Sequence, residues 1–391
     1  MLYSSMRGPT VTPCVPQALF FSEMLAALYP VPSPLPDARP GTVISARPLA
    51  GGSALRNARS NTVVLYHTVS PTGRDVAVSG VISIPNGPAP ADGWPVISWA
   101  HGTTGNAPQC APSQFAKPNI EQRFLNEWVG AGYAVAQTDY EGEGTPGLHP
   151  YFANAGGAHD TIDIVRAARA LDPQIGNRWI AMGHSEGGAV ALFAAALAPS
   201  WAPDLHVLGV VSYAPGSDIT DALGYIMTSS RPTRTLPLGM MMVEGIASTD
   251  PGVDLKRILS PRGLELLPQL QSACIDDLMK SPQWNAIPPA SLFLPDAPIE
   301  RLLHDFARNE PLNLPIHVPV RFEQGTADTI VSPGTTQALR SNLCANGVQA
   351  ELDTIAGANH GTVLARSWTA VKDWVARRFA GASEPAGGCG G

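Results

Sequence analysis

Residues 179–188 read Trp179-Ile180-Ala181-Met182-Gly183-His184-Ser185-Glu186-Gly187-Gly188, and an alanine-rich run continues from Ala189 to Ala198. The apolar tetrad has strand character and the later run helical character, so the residues between them form a very short connection. A serine on such a strand-to-helix turn is a nucleophile elbow: its backbone is strained and its hydroxyl stands exposed. Glycine is needed two residues before and two after, because any side chain there would strike the neighbouring strand or helix. The helix aims its first amides at the serine, which stabilises negative charge developing beside it.

Outward from this turn, short apolar runs alternate with longer helical ones. Val96 to Ala100 is followed by a helix near Glu121 to Ala131, and Tyr133 to Gln137 by a helix from about His159 to Ala170. Val207 to Tyr213 closes the block. This is the pattern of an α/β fold with a mainly parallel central sheet and helices on both faces. Upstream, Val63 to Val69 and Val76 to Ile84 flank Ser70-Pro71-Thr72-Gly73 and predict an antiparallel hairpin. Residues 1–40 carry Pro30, Pro32, Pro34, Pro36 and Pro40 and are expected to run extended over the surface. Across 216–315 the strands stop, and helical segments replace them: Ile219 to Thr228, the Met240-Met241-Met242 run, Gly263 to Gln271, and Ile299 to Ala307. Strands resume with Val318 to Gln324 and Ala350 to Ile355. The expected organisation is a core of 41–215 and 316–391 with a helical cap inserted at 216–315. The alternative is that these helices belong to the core layers. The methionines suit a packed interior and equally an adaptable acyl pocket.

Bulk properties narrow the function classes. The 391 residues are 44% hydrophobic and 15% charged, with 38 Pro and 38 Gly, which describes a large, loop-rich globular chain. A formal net charge of -7 without a dense basic run argues against nucleic acid and anionic membrane surfaces. No uninterrupted apolar run of about 18 residues is present, so no transmembrane helix is expected. Leu19 to Leu28 is interrupted by Ser22 and Glu23 and does not make a signal peptide. The five cysteines stand outside metal-ligand and C-x-x-C spacings and point to an oxidising compartment. The expectation is therefore a secreted protein whose signal peptide is not in this sequence, the alternative being a cytosolic enzyme with buried thiols.

A serine hydroxyl becomes a useful nucleophile when an imidazole takes its proton and a carboxylate orients the imidazole. In α/β sheets with an elbow these partners follow in the order serine, acid, histidine, on loops after strands. The strand run ending at Gln324 leads into Gly325-Thr326-Ala327-Asp328, and the run ending at Ile355 leads into Ala356-Gly357-Ala358-Asn359-His360. Asp328 and His360 are thus the candidate acid and base for Ser185, with Asp353 the rival acid. Of the nine histidines, His206, His304 and His317 do not follow late strands, and an elbow points His184 away from the site. Asp160 and Asp163 read as first-turn helix charges, and His149 with His159 lacks the companions of a metal site. No cofactor or metal is expected. Two loops compete for the first oxyanion donor: His101-Gly102-Thr103-Thr104-Gly105, through Gly102 or Thr103, and Thr138-Asp139-Tyr140-Glu141-Gly142. The second donor is the backbone N–H of Glu186.

The runs HGTTG, DYEGEGT, GHSEGG, GTADTIV and ANHG together resemble the secretory lipase family of α/β-hydrolases over roughly residues 20–380. The resemblance implies Ser185 as nucleophile, Asp328 as acid, His360 as base, and a helical insertion between the sixth and seventh strands of the family's fold. It also favours Asp139 in the oxyanion hole, while the presence of HGTTG keeps the other loop open. It further implies disulfides Cys110–Cys274 and Cys344–Cys389, leaving Cys14 free. The expected activity is a secreted serine carboxylic-ester hydrolase, lipase- or esterase-like, taking small-molecule or lipid esters with transient contact at a lipid–water interface. An α/β-hydrolase-type peptidase is the alternative, with Glu141, Glu143 and Glu186 available to anchor a substrate terminus. A non-catalytic binding protein would be expected to have lost a member of the trio.

Overall fold

The computed structural model describes residues 29–382, apart from Pro118, together with Cys389; Cys14 and the start of the N-terminal segment lie outside these. Nine strands form one sheet: β1 (Val43–Pro48), β2 (Ala58–Val69), β3 (Asp75–Pro85), β4 (Trp94–Ala100), β5 (Ala134–Thr138), β6 (Ile175–His184), β7 (His206–Tyr213), β8 (Val320–Gly325) and β9 (Ala350–Ile355). Their order is β1-β2-β3-β5-β4-β6-β7-β8-β9. β1, β2, β3 and β5 pair antiparallel in turn, and every pair from β5 to β9 is parallel. The hairpin of β2 and β3 closes at the Val69–Asp75 pair around Pro71 and Gly73. β1 is an edge strand, in a stretch to which the sequence reading assigned no strand.

Helices cover both faces because strand side chains alternate. Trp179 and Ala181 of β6 pack with α2 (Asn154–Leu171) and α3 (Glu186–Trp201), whereas Ile180 and Met182 pack with α1 (Ile120–Gly130) and the late helices α10 (Thr362–Arg366) and α11 (Trp368–Phe379). α3 is buried from Glu186 through Ala195, which explains its alanines: a helix pressed between sheet and neighbours takes small side chains where the backbones come close, with Leu192 and Phe193 filling the wider gaps. α2 begins at Asn154 rather than near His159. The reason is contact: a Cβ on Gly156 would lie 2.6 Å from Pro71 and one on Gly157 3.1 Å from Val190, so these glycines serve close packing rather than a loop. Asp160 and Asp163 consequently fall beyond the first turn, which corrects the expectation of first-turn helix charges, and both are buried.

Between β7 and β8 lie α4 (Ile219–Thr228), α5 (Leu236–Ala247), α6 (Pro261–Leu270), α7 (Ile275–Lys280) and α8 (Glu300–Arg308). They share an apolar cluster of their own, with Leu223, Met240, Met241, Trp284 and Phe306 at its centre and Tyr151 and Phe152 reaching in from the core. α9 (Pro333–Ala345) follows β8. Disulfides join Cys110 to Cys274 and Cys344 to Cys389, with Cα separations of 5.5 and 5.6 Å. No described helix is long and apolar enough to cross a membrane.

Candidate active site

The turn after β6 has the geometry its glycines demand. A Cβ on Gly183 would sit 2.0 Å from the carbonyl oxygen of Gly187, and one on Gly187 would sit 1.9 Å from that of Ala100. Those distances are far inside van der Waals contact, so the β6-α3 crossing excludes any larger residue. Ser185 takes φ 58° and ψ -119°, and its side chain does not cap its own helix. A non-glycine residue in that region is strained and must be held in place. Its N–H donates to Tyr213 O at 2.8 Å, and its carbonyl accepts from Gly188 and Gly216 at 3.0 and 2.8 Å. Tyr140 after β5 and Ala214 after β7 also have positive φ, at 66° and 42°. Strained backbone therefore gathers at the carboxyl ends of the parallel strands, where sheets of this class place their sites.

The loops after β8 and β9 arrive together. Ala327 N–H donates to Ala358 O at 2.9 Å, and Gly357 N–H to the Thr326 hydroxyl at 2.8 Å. Across this junction His360 Nδ1 stands 2.7 Å from Asp328 Oδ2. The other oxygen of Asp328 accepts the N–H groups of Ile330 and Val331 at 2.8 and 3.0 Å. Burial favours the neutral Asp328 carboxyl, but its hydrogen bond and charge contact with His360 and the two amides outweigh that and hold it below the usual range. Burial also lowers the pKa of His360, opposed by Asp328 and reinforced by the His184 charge. The rival Asp353 lies on β9 and bonds Arg321 at 3.1 Å.

His184 is buried, and its ring centroid lies 4.5 Å from that of His360. His360 therefore stands directly beside the elbow. Glu121, in the first turn of α1, reaches the same spot: its Oε1 accepts from Gly102 N–H at 3.0 Å and faces His184 Nδ1 at 2.9 Å, and its Oε2 accepts from Trp99 Nε1 at 3.1 Å. α1 can present this residue because Asn119 and Gln122 form a reciprocal capping box that leaves the Glu121 side chain free to point inward. The sequence reading missed Glu121; its signal was an acid just inside a capped helix.

Of the remaining site acids Asp139, Glu143 and Glu186 are buried and Glu141 is half-buried. Asp139 accepts from the Ser79 and Ser113 hydroxyls at 2.7 and 2.5 Å and from Ser113 N–H at 3.0 Å, while its own N–H donates to Ser79 O at 2.9 Å. Burial raises its pKa against those serine bonds. Glu143 accepts from the Thr104 hydroxyl at 2.7 Å, and burial lifts it well above the usual range. Glu186 Oε1 lies 2.9 Å from His149 Nε2, and Glu141 faces Arg74 at 3.4 Å. Thr103 shares a 2.6 Å bond with the Tyr151 hydroxyl. His149 and His159 are apart in role: the latter stacks on Trp201 with centroids 3.8 Å apart. Among the described residues no group of three or more His, Cys, Asp or Glu is arranged to hold a metal ion.

Comparison with known proteins places these features. A family model described as secretory lipase matches residues 112–387. A probable inactive lipase of Mycobacterium tuberculosis is 24% identical over 377 residues, covering 90% of this chain and 81% of that protein. A secreted triacylglycerol lipase of Malassezia furfur is 24% identical over 246 residues, covering 60% of this chain and 45% of that one. Among solved structures, lipase A of Candida antarctica superposes with a TM-score of 0.75 at 19% identity, over 90% of this chain and 85% of that chain. At that identity the likeness speaks for the fold, which is that of an α/β-hydrolase.

Proposed function

The chain belongs to the secretory lipase family of carboxylic ester hydrolases, and on that premise we propose that Ser185, His360 and Asp328 form a triad that cleaves acyl esters through an acyl-enzyme. Ser185 attacks the ester carbonyl while His360 takes the hydroxyl proton and then delivers it to the leaving alcohol. Water, deprotonated by the same imidazole, releases the acid. The observation that carries this reading is the 2.7 Å His360–Asp328 contact, standing beside a serine held at φ 58°. Asp328 fixes the proton on Nδ1 and so leaves Nε2 able to accept.

The oxyanion donors follow from which amides are committed elsewhere. Glu186 opens α3, where first-turn N–H groups have no partner within the helix. Gly102 N–H ends on Glu121 and Asp139 N–H on Ser79, so Thr103 supplies the donor beside that of Glu186. Asp139 then shapes the site by tying the β5 loop to Ser113. The cap at 216–315 lines the acyl side, and its cluster with Tyr151 and Phe152 supports that arrangement. The two disulfides support work outside the cytoplasm, where such bonds persist.

Each of the three glutamates that a peptidase would use to anchor a substrate terminus has one oxygen on Arg74, Thr104 or His149 and its other oxygen buried away from solvent, which favours the ester. The word inactive in one relative's name concerns that protein. In this chain Ser185→Ala is expected to lower kcat on p-nitrophenyl esters about a million-fold, as in comparable serine hydrolases, with loss of fluorophosphonate labelling. Substantial esterase activity in that variant would sink the triad, and failure of the parent to label would favour a binding protein.

A further inference from the structure

His184 stands between two acceptors. Its Nε2 lies 2.8 Å from the carbonyl oxygen of His360, and its Nδ1 lies 2.9 Å from Glu121 Oε1. A carbonyl oxygen only accepts, so Nε2 carries a proton. Glu121 is driven toward its neutral form by burial, but its contacts with His184, the His101 charge and the Gly102 amide reverse this and leave it a carboxylate. Nδ1 and Glu121 Oε1 then share a hydrogen bond at 2.9 Å, and the ring bridges Glu121 and the His360 backbone. The spacing leaves no slack: a Cβ on Gly102 would lie 2.9 Å from Glu121 Oε1 and 3.1 Å from His184 Nδ1.

We propose that His184 and Glu121 are a positioning pair that fastens three separate loops, those after β4, β6 and β9, into one catalytic geometry. Glu121 holds the loop after β4 through Gly102 N–H, immediately before Thr103. His184 holds the backbone of His360 from the residue next to Ser185. One buried side-chain contact thereby sets both where the oxyanion donor sits and where the general base sits. The inference rests on the triad proposed above.

The pair also acts on the proton affinity of the base. The charged and titratable groups facing His360 are Asp328 from the loop after β8, His184 from the elbow and Glu121 from α1; His101 faces Glu121 from the loop after β4. The His184 contact lowers the proton affinity of His360. Removing it raises the pH at which the base becomes available.

The experiment compares His184→Leu and His184→Gln in the full chain, following kcat and KM for p-nitrophenyl butyrate from pH 4 to 9, with active sites counted by fluorophosphonate. Glutamine places an N–H near the position of Nε2 without charge, so it restores the bond to His360 O but not the field. Leucine is expected to cut kcat about tenfold to hundredfold, the scale of a misplaced catalytic group, with KM changed less than threefold. Glutamine should recover most of that loss, and both variants should move the acid limb of kcat to higher pH. The proposal is overturned if leucine retains the parental kcat and acid limb. It is equally overturned if both variants lose rate alike with the limb unmoved, since that is loss of packing. Ser185→Ala, run alongside, separates the outcomes: if it stays active the triad itself has failed, whereas an inactive alanine variant beside a fully active leucine variant rejects the positioning pair alone.

Discussion

Replacing Asp328 by asparagine tests the orientation of the base at nearly constant shape. In the parent, Oδ1 accepts Ile330 and Val331 N–H at 2.8 and 3.0 Å, and Oδ2 faces His360 Nδ1 at 2.7 Å. An asparagine has one acceptor oxygen, and the two backbone amides claim it. Its NH2 group must then turn toward His360, where Gln324 Nε2 already donates at 3.3 Å. Two donors cannot share that contact, so the imidazole shifts its proton to Nε2 and presents a bare Nδ1. In that tautomer the ring has no lone pair for the serine proton. The corresponding change in a Ser-His-Asp protease lowers kcat about 10⁴-fold, about 5 kcal/mol of lost transition-state stabilisation. The assay is kcat on p-nitrophenyl butyrate at pH 7.5, with circular dichroism to show an unchanged fold. An Asp328→Asn enzyme within tenfold of the parent would refute the tautomer argument and with it the role of Asp328.

Two further outcomes concern stability. Asp163 is pushed up from 3.8 to about 7 by burial, against hydrogen bonds from Trp201 and Thr68 and the charge of Arg166. The folded protein therefore keeps this proton to about pH 7 while the unfolded chain releases it near 3.8, so stability falls as pH rises between those values. The full effect is about 4 kcal/mol. Asp163→Asn should remove most of that slope in urea unfolding between pH 4.5 and 7.5, and an unchanged slope would count against it. Separately, the Cys110→Ser, Cys274→Ser double variant opens a closure spanning 164 residues, worth about 5 kcal/mol on the chain-entropy relation. Its urea midpoint should drop well below that of the parent, and a midpoint unmoved would contradict the bond's contribution.

Much of the fold was legible because its signals are local. Strand and helix alternate in β4 through β7 with a clean change of period, and the elbow is spelled by glycines whose necessity is steric. The helical stretch from Ile219 to Arg308 announced itself by the disappearance of that alternation. β1 was hidden because Val43–Pro48 holds half-exposed and exposed side chains, and an edge strand with little burial carries little apolar pattern. The start of α2 was hidden because Gly156 and Gly157 look like a loop until Pro71 and Val190 are brought against them. The same division holds in the site. Asp328 and His360 could be found from the loops they occupy, but the choice between oxyanion loops turns on where Gly102 and Asp139 spend their amides. Those amides end on Glu121 and Ser79, whose own patterns say nothing of the destination. His184 was legible as part of the elbow and not as a neighbour of His360, since that contact spans 176 positions.

The bond between Cys110 and Cys274 carries a mechanical consequence. The inserted helices are joined to the core by chain at both ends, after β7 and before β8, and a flap attached in that way could swing about a line through its two hinges. Cys274 lies inside the insertion and is riveted to the segment just beyond the Gly102 loop, with Ile275 N–H also bonded to Thr104 O at 2.8 Å. The insertion is thus held to the core at a third point, inside its own sequence, besides its two chain connections. Reducing that one cystine would return the inserted helices to their two chain connections and the Ile275–Thr104 backbone bond, so the redox state of the surroundings sets how many covalent ties hold them to the core.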